Sequence, residues 1–232
     1  MDLVTQSLEV NMNQEAVFKV APSGLDYALK CKRCLWLSYK GIKLDAFFPP
    51  IFNSFDLIQK KFLITQSVKL MSKALPDGRI MTELSGFIGS STLKDKKGRS
   101  FMISGKTDVV VEFKTNPKKY GIIDLKTTNI NPSKIENYKL QLEGYATIFQ
   151  NPNSKTPKFS DIEELGLYLF EPKEITEISK GSCNMKFETL YLKGNRCQAE
   201  LIKRVTEIID IYLMEKPPEY NLACASCKFV TS

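Results

Sequence analysis

The sequence contains no histidine and one tryptophan among its 232 residues. The missing imidazole removes Ser-His-Asp and Cys-His nucleophilic catalysis, histidine-ligated zinc hydrolysis, and every nuclease whose general base is histidine. Chemistry in this chain must therefore run on carboxylates, lysine and a metal ion. Long apolar runs are missing too. Nothing approaches the length of a membrane span, and residues 1–14 show no basic-then-apolar signal pattern, so a soluble, intracellular (cytoplasmic) protein is expected. No internal repeat or low-complexity segment interrupts the chain.

What is present suits one domain with a real core: 43% apolar and 25% charged residues exclude wholesale disorder. We read 1–232 as a single domain, with a helical N-terminal part at 22–73 and a cysteine-bearing tail at 220–232 packed together. The formal charge is +7 and the pI near 9.0, which favours a polyanionic partner such as DNA without requiring one. Six cysteines in an intracellular chain point to metal binding or burial rather than a disulfide framework.

Apolar spacings of three and four predict helices over 22–41, 54–73, 132–150 and 197–213. Strand-type residues predict a three-stranded meander over 79–90, 101–113 and 120–126, and further strands at 165–170 and 185–192. The order helix, three strands, helix, strands gives an α/β fold with a mixed central sheet flanked by helices.

The informative stretch is 104–126. Asp108 lies in one apolar run, and Asp124 and Lys126 lie at the end of the next. Two adjacent antiparallel strands bring Asp108 near Asp124, and strand alternation points Asp124 and Lys126 one way while Leu125 points into the core. Two carboxylates can hold Mg²⁺ or Mn²⁺ beside a scissile phosphate, with the Leu125 carbonyl as a further oxygen ligand. Lys126 can then hydrogen-bond the attacking water or screen the phosphate. Glu83 is either a fourth oxygen donor or an exposed strand glutamate. Gln141 and Tyr145, four apart on the next helix, face either a nucleic-acid backbone or Lys126, or simply pack; Tyr138 reads as packing. The turn 94–99 is strongly basic, as a solvated hairpin tip or a phosphate contact, and Lys32, Arg33 and Lys40 are further phosphate candidates.

Cys31-x-x-Cys34 and Cys224-x-x-Cys227 form two pairs whose four thiolates suit zinc or an iron–sulfur cluster and would staple the first helix to the tail. Cys183 and Cys197 are isolated.

Gly105-x-x-Asp108, Asp124-x-Lys126 and Gln141-x-x-x-Tyr145 together resemble the PD-(D/E)XK nuclease superfamily, in its RecB-like branch with the CRISPR-associated four-cysteine exonucleases. The resemblance spans about residues 22 to 229 and implies a restriction-endonuclease-like core. It also implies Asp108 and Asp124 as metal ligands, Lys126 as catalytic lysine, and Gln141 and Tyr145 as the helix motif. In that branch one early and three late cysteines hold a [4Fe–4S] cluster; Cys31, Cys224 and Cys227 match, the last would fall just beyond Ser232, and Cys34 is the substitute. A histidine ligand common on a helix before the sheet is replaced here by the neighbourhood of Gln59, Lys60 and Lys61, which implies weaker metal affinity, a manganese preference or lost activity. The expected function is a metal-dependent DNA nuclease that trims ends or flaps, since no base-reading module is visible. The alternatives are a catalytically inactive nucleic-acid-binding or scaffold protein of the same fold, and a metal-sensing regulator built on the cysteines.

Overall fold

Val109, Val110 and Val111 alternate between two separate cores, and that alternation organises the molecule. The computed structural model describes residues 16–26, 28, 30–42, 49–81, 86–224 and 226–227. Nine strands are seen among them: β1 (Phe18–Val20), β2 (Gly78–Ile80), β3 (Ile88–Gly89), β4 (Leu93–Lys94), β5 (Ser100–Gly105), β6 (Val109–Phe113), β7 (Tyr120–Thr127), β8 (Ile162–Ser179) and β9 (Ser182–Gly194). The helices are α1 (Pro22–Leu25), α2 (Lys32–Tyr39), α3 (Ile51–Ile64), α4 (Lys139–Gln150) and α5 (Gln198–Tyr212), with short 3₁₀ turns at Val68–Leu70 and Pro132–Asn137.

The main sheet runs β2-β6-β7-β8-β9. Its neighbours are antiparallel except β7 and β8, which are parallel. A parallel pair cannot be joined by a tight turn, and α4 supplies the crossover. A smaller sheet is centred on β5, which pairs with β1 in parallel and with β3 and β4 antiparallel. The fold is α/β with a mixed sheet flanked by helices, as the pattern of elements implies.

Val110, Ile122 and Leu165 face one core with α1, α4, α5 and the small sheet. Val109, Val111, Ile123 and Leu125 face the other, under Leu63 of α3. Helix α4 lies between layers, so every residue from Leu140 to Phe149 is buried.

Several expected elements are divided. The strand expected over 101–113 is two strands in two sheets, separated at Lys106, Thr107 and Asp108. The meander survives in space as β2-β6-β7, with β3, β4 and β5 inserted in sequence. The helix expected over 22–41 is broken because Cys31 is extended (φ −146°, ψ 97°) and caps α2 with its sulfur, which accepts from Cys34 N. The expected helix over 54–73 starts earlier and stops at Ile64, and the first turns of 132–150 are 3₁₀. The strands expected at 165–170 and 185–192 are the base of a long hairpin whose outer part, beyond Glu171, is mostly exposed.

The basic turn at 94–99 is bound to the protein rather than left free. Asp95 accepts from the backbone N–H groups of Lys97 and Arg99 and pairs with the Arg99 guanidinium at 2.6 Å. Arg99 and Lys97 both reach Asp210 on α5. Arg33 donates to the Pro218 carbonyl, and Lys40 lies over the Trp36 and Tyr39 rings.

Candidate active site and cysteine cluster

Strand β7 delivers Asp124 to the α4 face of the sheet, where it is only 2% exposed. Gln141 Nε2 on α4 donates to Asp124 Oδ1 at 2.7 Å. Asp124 Oδ2 is paired with the Lys126 ammonium at 2.6 Å and finds no further partner among the described residues. The ammonium meets the cost of burying this carboxylate, and a carboxylate oxygen keeps a second lone pair that a metal ion can use. Burial pushes the Asp124 carboxyl up to about 7, with Lys126 opposing the rise and the nearby Asp108 charge adding to it.

Asp108 sits in the break between β5 and β6, beside β7. Its Oδ2 accepts from Leu125 N at 2.9 Å, and its Oδ1 lies 2.7 Å from Lys60 Nζ. Tyr145 holds this break in place: its buried hydroxyl donates to the Lys106 carbonyl at 2.8 Å. Burial first, then the charges of Asp124 and Asp108, raise the Tyr145 pKa above that of a free phenol, so the hydroxyl stays a donor. Gly105 is required here because a Cβ would lie 2.9 Å from Pro22 Cδ and 3.4 Å from the Tyr145 ring.

The carboxylates border a cavity of about 530 Å³. Asp108, Leu125, Lys126 and Gln141 line it, as do Asp56 and Phe52 of α3 and Tyr138. The structure thus gathers four of the sequence candidates, Asp108, Leu125, Lys126 and Gln141, around one hollow with Asp124 beneath. Tyr145 lies behind it. Glu83 lies outside the described residues. Tyr138, read from sequence as packing, is a wall of the hollow, with Lys126 Nζ 5.0 Å from its ring centre. Gln141 turns to Asp124 rather than to Lys126.

Sequence placed Gln59 and Lys60 near the site without their partners, and it missed Asp26 and Asp56. Lys60 bridges Asp108 and Asp56; burial disfavours its charge, but the two carboxylates outweigh that and raise its pKa. The signal was the Asp56/Lys60 spacing of four on one helix. Asp26 caps α4 from outside, accepting from Gln141 N at 2.9 Å and Leu140 N at 3.4 Å. Gln59 lines the same hollow, where it donates to Thr127 Oγ1 rather than to a carboxylate.

At the far end, the four cysteines of the two C-x-x-C pairs come together with all sulfurs within 4.8 Å of one another. Cys31 Sγ is 3.3 Å from Cys227 Sγ, and Cys34 Sγ lies 3.5 Å from Cys227 Sγ and 3.6 Å from Cys224 Sγ. Hydrogen bonds sew the tail to α2: Asn221 Nδ2 donates to the Lys30 carbonyl and Trp36 Nε1 to the Met214 carbonyl. Burial raises the Cys31 and Cys34 thiols, while the Cys227 backbone N–H brings Cys224 down to about 7. This donor set suits a metal ion, whose binding would release the remaining thiol protons.

A family model described as the PD-(D/E)XK nuclease superfamily matches residues 59–232. The chain belongs to this superfamily. Membership implies a nuclease-type phosphodiesterase and a nucleic-acid substrate, and superfamily members typically use a divalent metal ion. The match begins at Gln59, on α3, and takes in the whole carboxylate site and the two late cysteines. Among solved structures, the crystal structure of SSO0001 resembles this PD-(D/E)XK chain with a TM-score of 0.52 at 15% identity, covering 95% of this chain and 87% of the other. At that identity the likeness concerns the fold. A search of curated proteins finds no match. Among the described residues no helix is long and apolar enough to cross a membrane.

Proposed function

We propose that this chain is a Mg²⁺- or Mn²⁺-dependent DNA nuclease that trims ends or flaps, built as one domain and working in the cytoplasm. The observation carrying this reading is the buried Asp124 carboxylate, paired with Lys126 through Oδ2 and standing beside Asp108 at the end of one hollow. Asp108 and Asp124, with the Leu125 carbonyl and Glu83 as further oxygen donors, are the residues to hold the ion. A bound divalent ion neutralises the scissile phosphate and acidifies a water molecule. Gln141 fixes Oδ1 of Asp124 and so aims Oδ2 at the ion position. The Lys126 ammonium sits where it can donate to the attacking water and then to the phosphate oxygen that gains charge, a contribution that grows in the transition state. Tyr145 fixes the Lys106 carbonyl and with it the approach of Asp108. Tyr138 and Phe52 give the hollow apolar walls against which nucleobases or sugars pack.

At the cysteines we propose a single zinc ion. Tetrahedral Zn–S bonds of about 2.3 Å set sulfurs about 3.8 Å apart, close to the 3.3–3.6 Å contacts observed. A four-iron cube, which places its thiolates on four separate corners, is the alternative occupant of the same four cysteines.

The test is cleavage of end-labelled single- and double-stranded DNA with each metal, for wild type, Asp124→Ala and Lys126→Ala. Metal-dependent cleavage lost in both variants is the expected result. The contact of Lys60 with Asp108 favours a second reading, a non-cleaving nucleic-acid-binding protein. DNA binding without cleavage by wild type under either metal would establish that reading instead.

A further inference from the structure

An aspartate and a lysine four apart on α3 satisfy each other without help, as Asp56 and Lys60 do at 2.8 Å. Lys60 nevertheless leaves the helix surface to reach Asp108 at 2.7 Å, in a place where its side chain is only 20% exposed. Desolvating an ammonium for a second carboxylate is unnecessary for holding α3, whose Leu63 is already buried in the core under the sheet. The contact acts on Asp108.

We propose that Lys60 competes with the divalent ion for Asp108 and thereby sets the metal affinity of the site; this rests on the nuclease reading above. Asp108 has two oxygens, and the structure engages both: Oδ2 with Leu125 N and Oδ1 with Lys60. An ion bound through Asp108 must therefore share Oδ1 with an ammonium group or displace it. The local charge makes the same point. Lys60 and Lys126 already pair with Asp56, Asp108 and Asp124, so a doubly charged ion arrives at carboxylates that two ammonium groups hold. The side chain also has somewhere to go. Lys60 lines a second hollow of about 230 Å³ that borders Asp108 from the other side, next to Met81 and Lys106. Withdrawal into it frees Oδ1 without moving the helix.

The experiment is calorimetric titration of Mn²⁺ into the full chain with its cysteine metal in place, for wild type, Lys60→Met and Lys60→Arg, each checked by a thermal melt. Mn²⁺ prefers oxygen donors and leaves the thiolates alone. Lys60→Met should bind Mn²⁺ at least about tenfold more tightly, since removing a unit charge a few ångströms away is worth that much even at high effective dielectric. Lys60→Arg should stay within about twofold of wild type. Equal or weaker binding by Lys60→Met overturns the proposal and leaves Lys60 as a structural pin, which a lowered melting temperature would show. If Lys60→Met does not fold, Lys60→Gln takes its place with the same expectation. Asp124→Asn separates the two levels: if it leaves Mn²⁺ binding unchanged, the carboxylates are not the metal site and the nuclease reading falls along with this one.

Discussion

Gln141 Nε2 and Asp124 Oδ1 lie 2.7 Å apart, in a bond that joins the first turn of α4 to the middle of β7 within the core. The amide donates to one carboxylate oxygen and leaves the other to Lys126 and to an incoming cation. Removing such an outer partner of a metal ligand typically costs about 10–100-fold. Gln141→Ala should lower single-turnover cleavage by that factor, with Gln141→Glu worse because two carboxylates would then meet. Rate measurements across a Mn²⁺ series would separate lost ion affinity from lost turnover.

Glu143 is fully buried and accepts from Arg196 Nε and Nη2 at 2.9 and 2.8 Å and from Cys197 N at 2.9 Å. This pair ties α4 to the start of α5. Arg196→Met strands a buried carboxylate and should cost about 3–5 kcal/mol in urea unfolding. Changing Glu143 to Met as well should recover much of that loss, because the two apolar side chains no longer require each other's charge.

Asp95 and Asp210 share Arg99 where the β4–β5 turn meets α5. Burial acts to raise both carboxyls, but the Arg99 and Lys97 hydrogen bonds prevail and hold both pKa values below the ordinary aspartate value. A depressed folded pKa contributes stability above the unfolded value of about 3.9 and loses it as pH falls through the folded value. The urea midpoint should therefore drop between about pH 4 and pH 2. Arg99→Met should be less stable at pH 7 and should show a shallower slope in that window.

The cysteine site should hold one zinc per chain by plasma emission, with iron absent. Cys34→Ser or Cys227→Ser should lose the metal and lower the melting temperature, and a strong chelator should do the same to wild type. Bound iron with a visible absorption band near 400 nm would refute the single-zinc assignment.

Asp124, Lys126 and Leu125 could be placed from sequence because strand alternation is a local rule that tertiary packing rarely overrides. The helix face carrying Gln141 was legible from its spacing of four to Tyr145, but its partner Asp124 was not, because that depends on how α4 crosses the sheet. The break between β5 and β6 was hidden: 101–113 reads as one strand, and what divides it is the Tyr145 hydroxyl on Lys106 and Pro22 on Gly105, both distant in sequence. The contact of Lys60 with Asp108 was hidden for the same reason. It depends on how α3 crosses the sheet, and only the Asp56 spacing was local. The split of 22–41 at Cys31 belongs here too, since the thiol caps a helix while reaching Cys227, 196 positions away.

That last contact makes the path of the chain nearly a closed ring. Once an ion ties Cys31 and Cys34 to Cys224 and Cys227, a cut at the exposed β8–β9 turn, where Gly181 takes a positive φ of 82°, leaves two pieces that cannot drift apart. They remain joined by the paired strands on one side and by the thiolates on the other. A protease nick there should produce two bands under denaturation and one particle in solution, and adding a chelator should remove one of the two ties and lower the denaturant needed to part the halves.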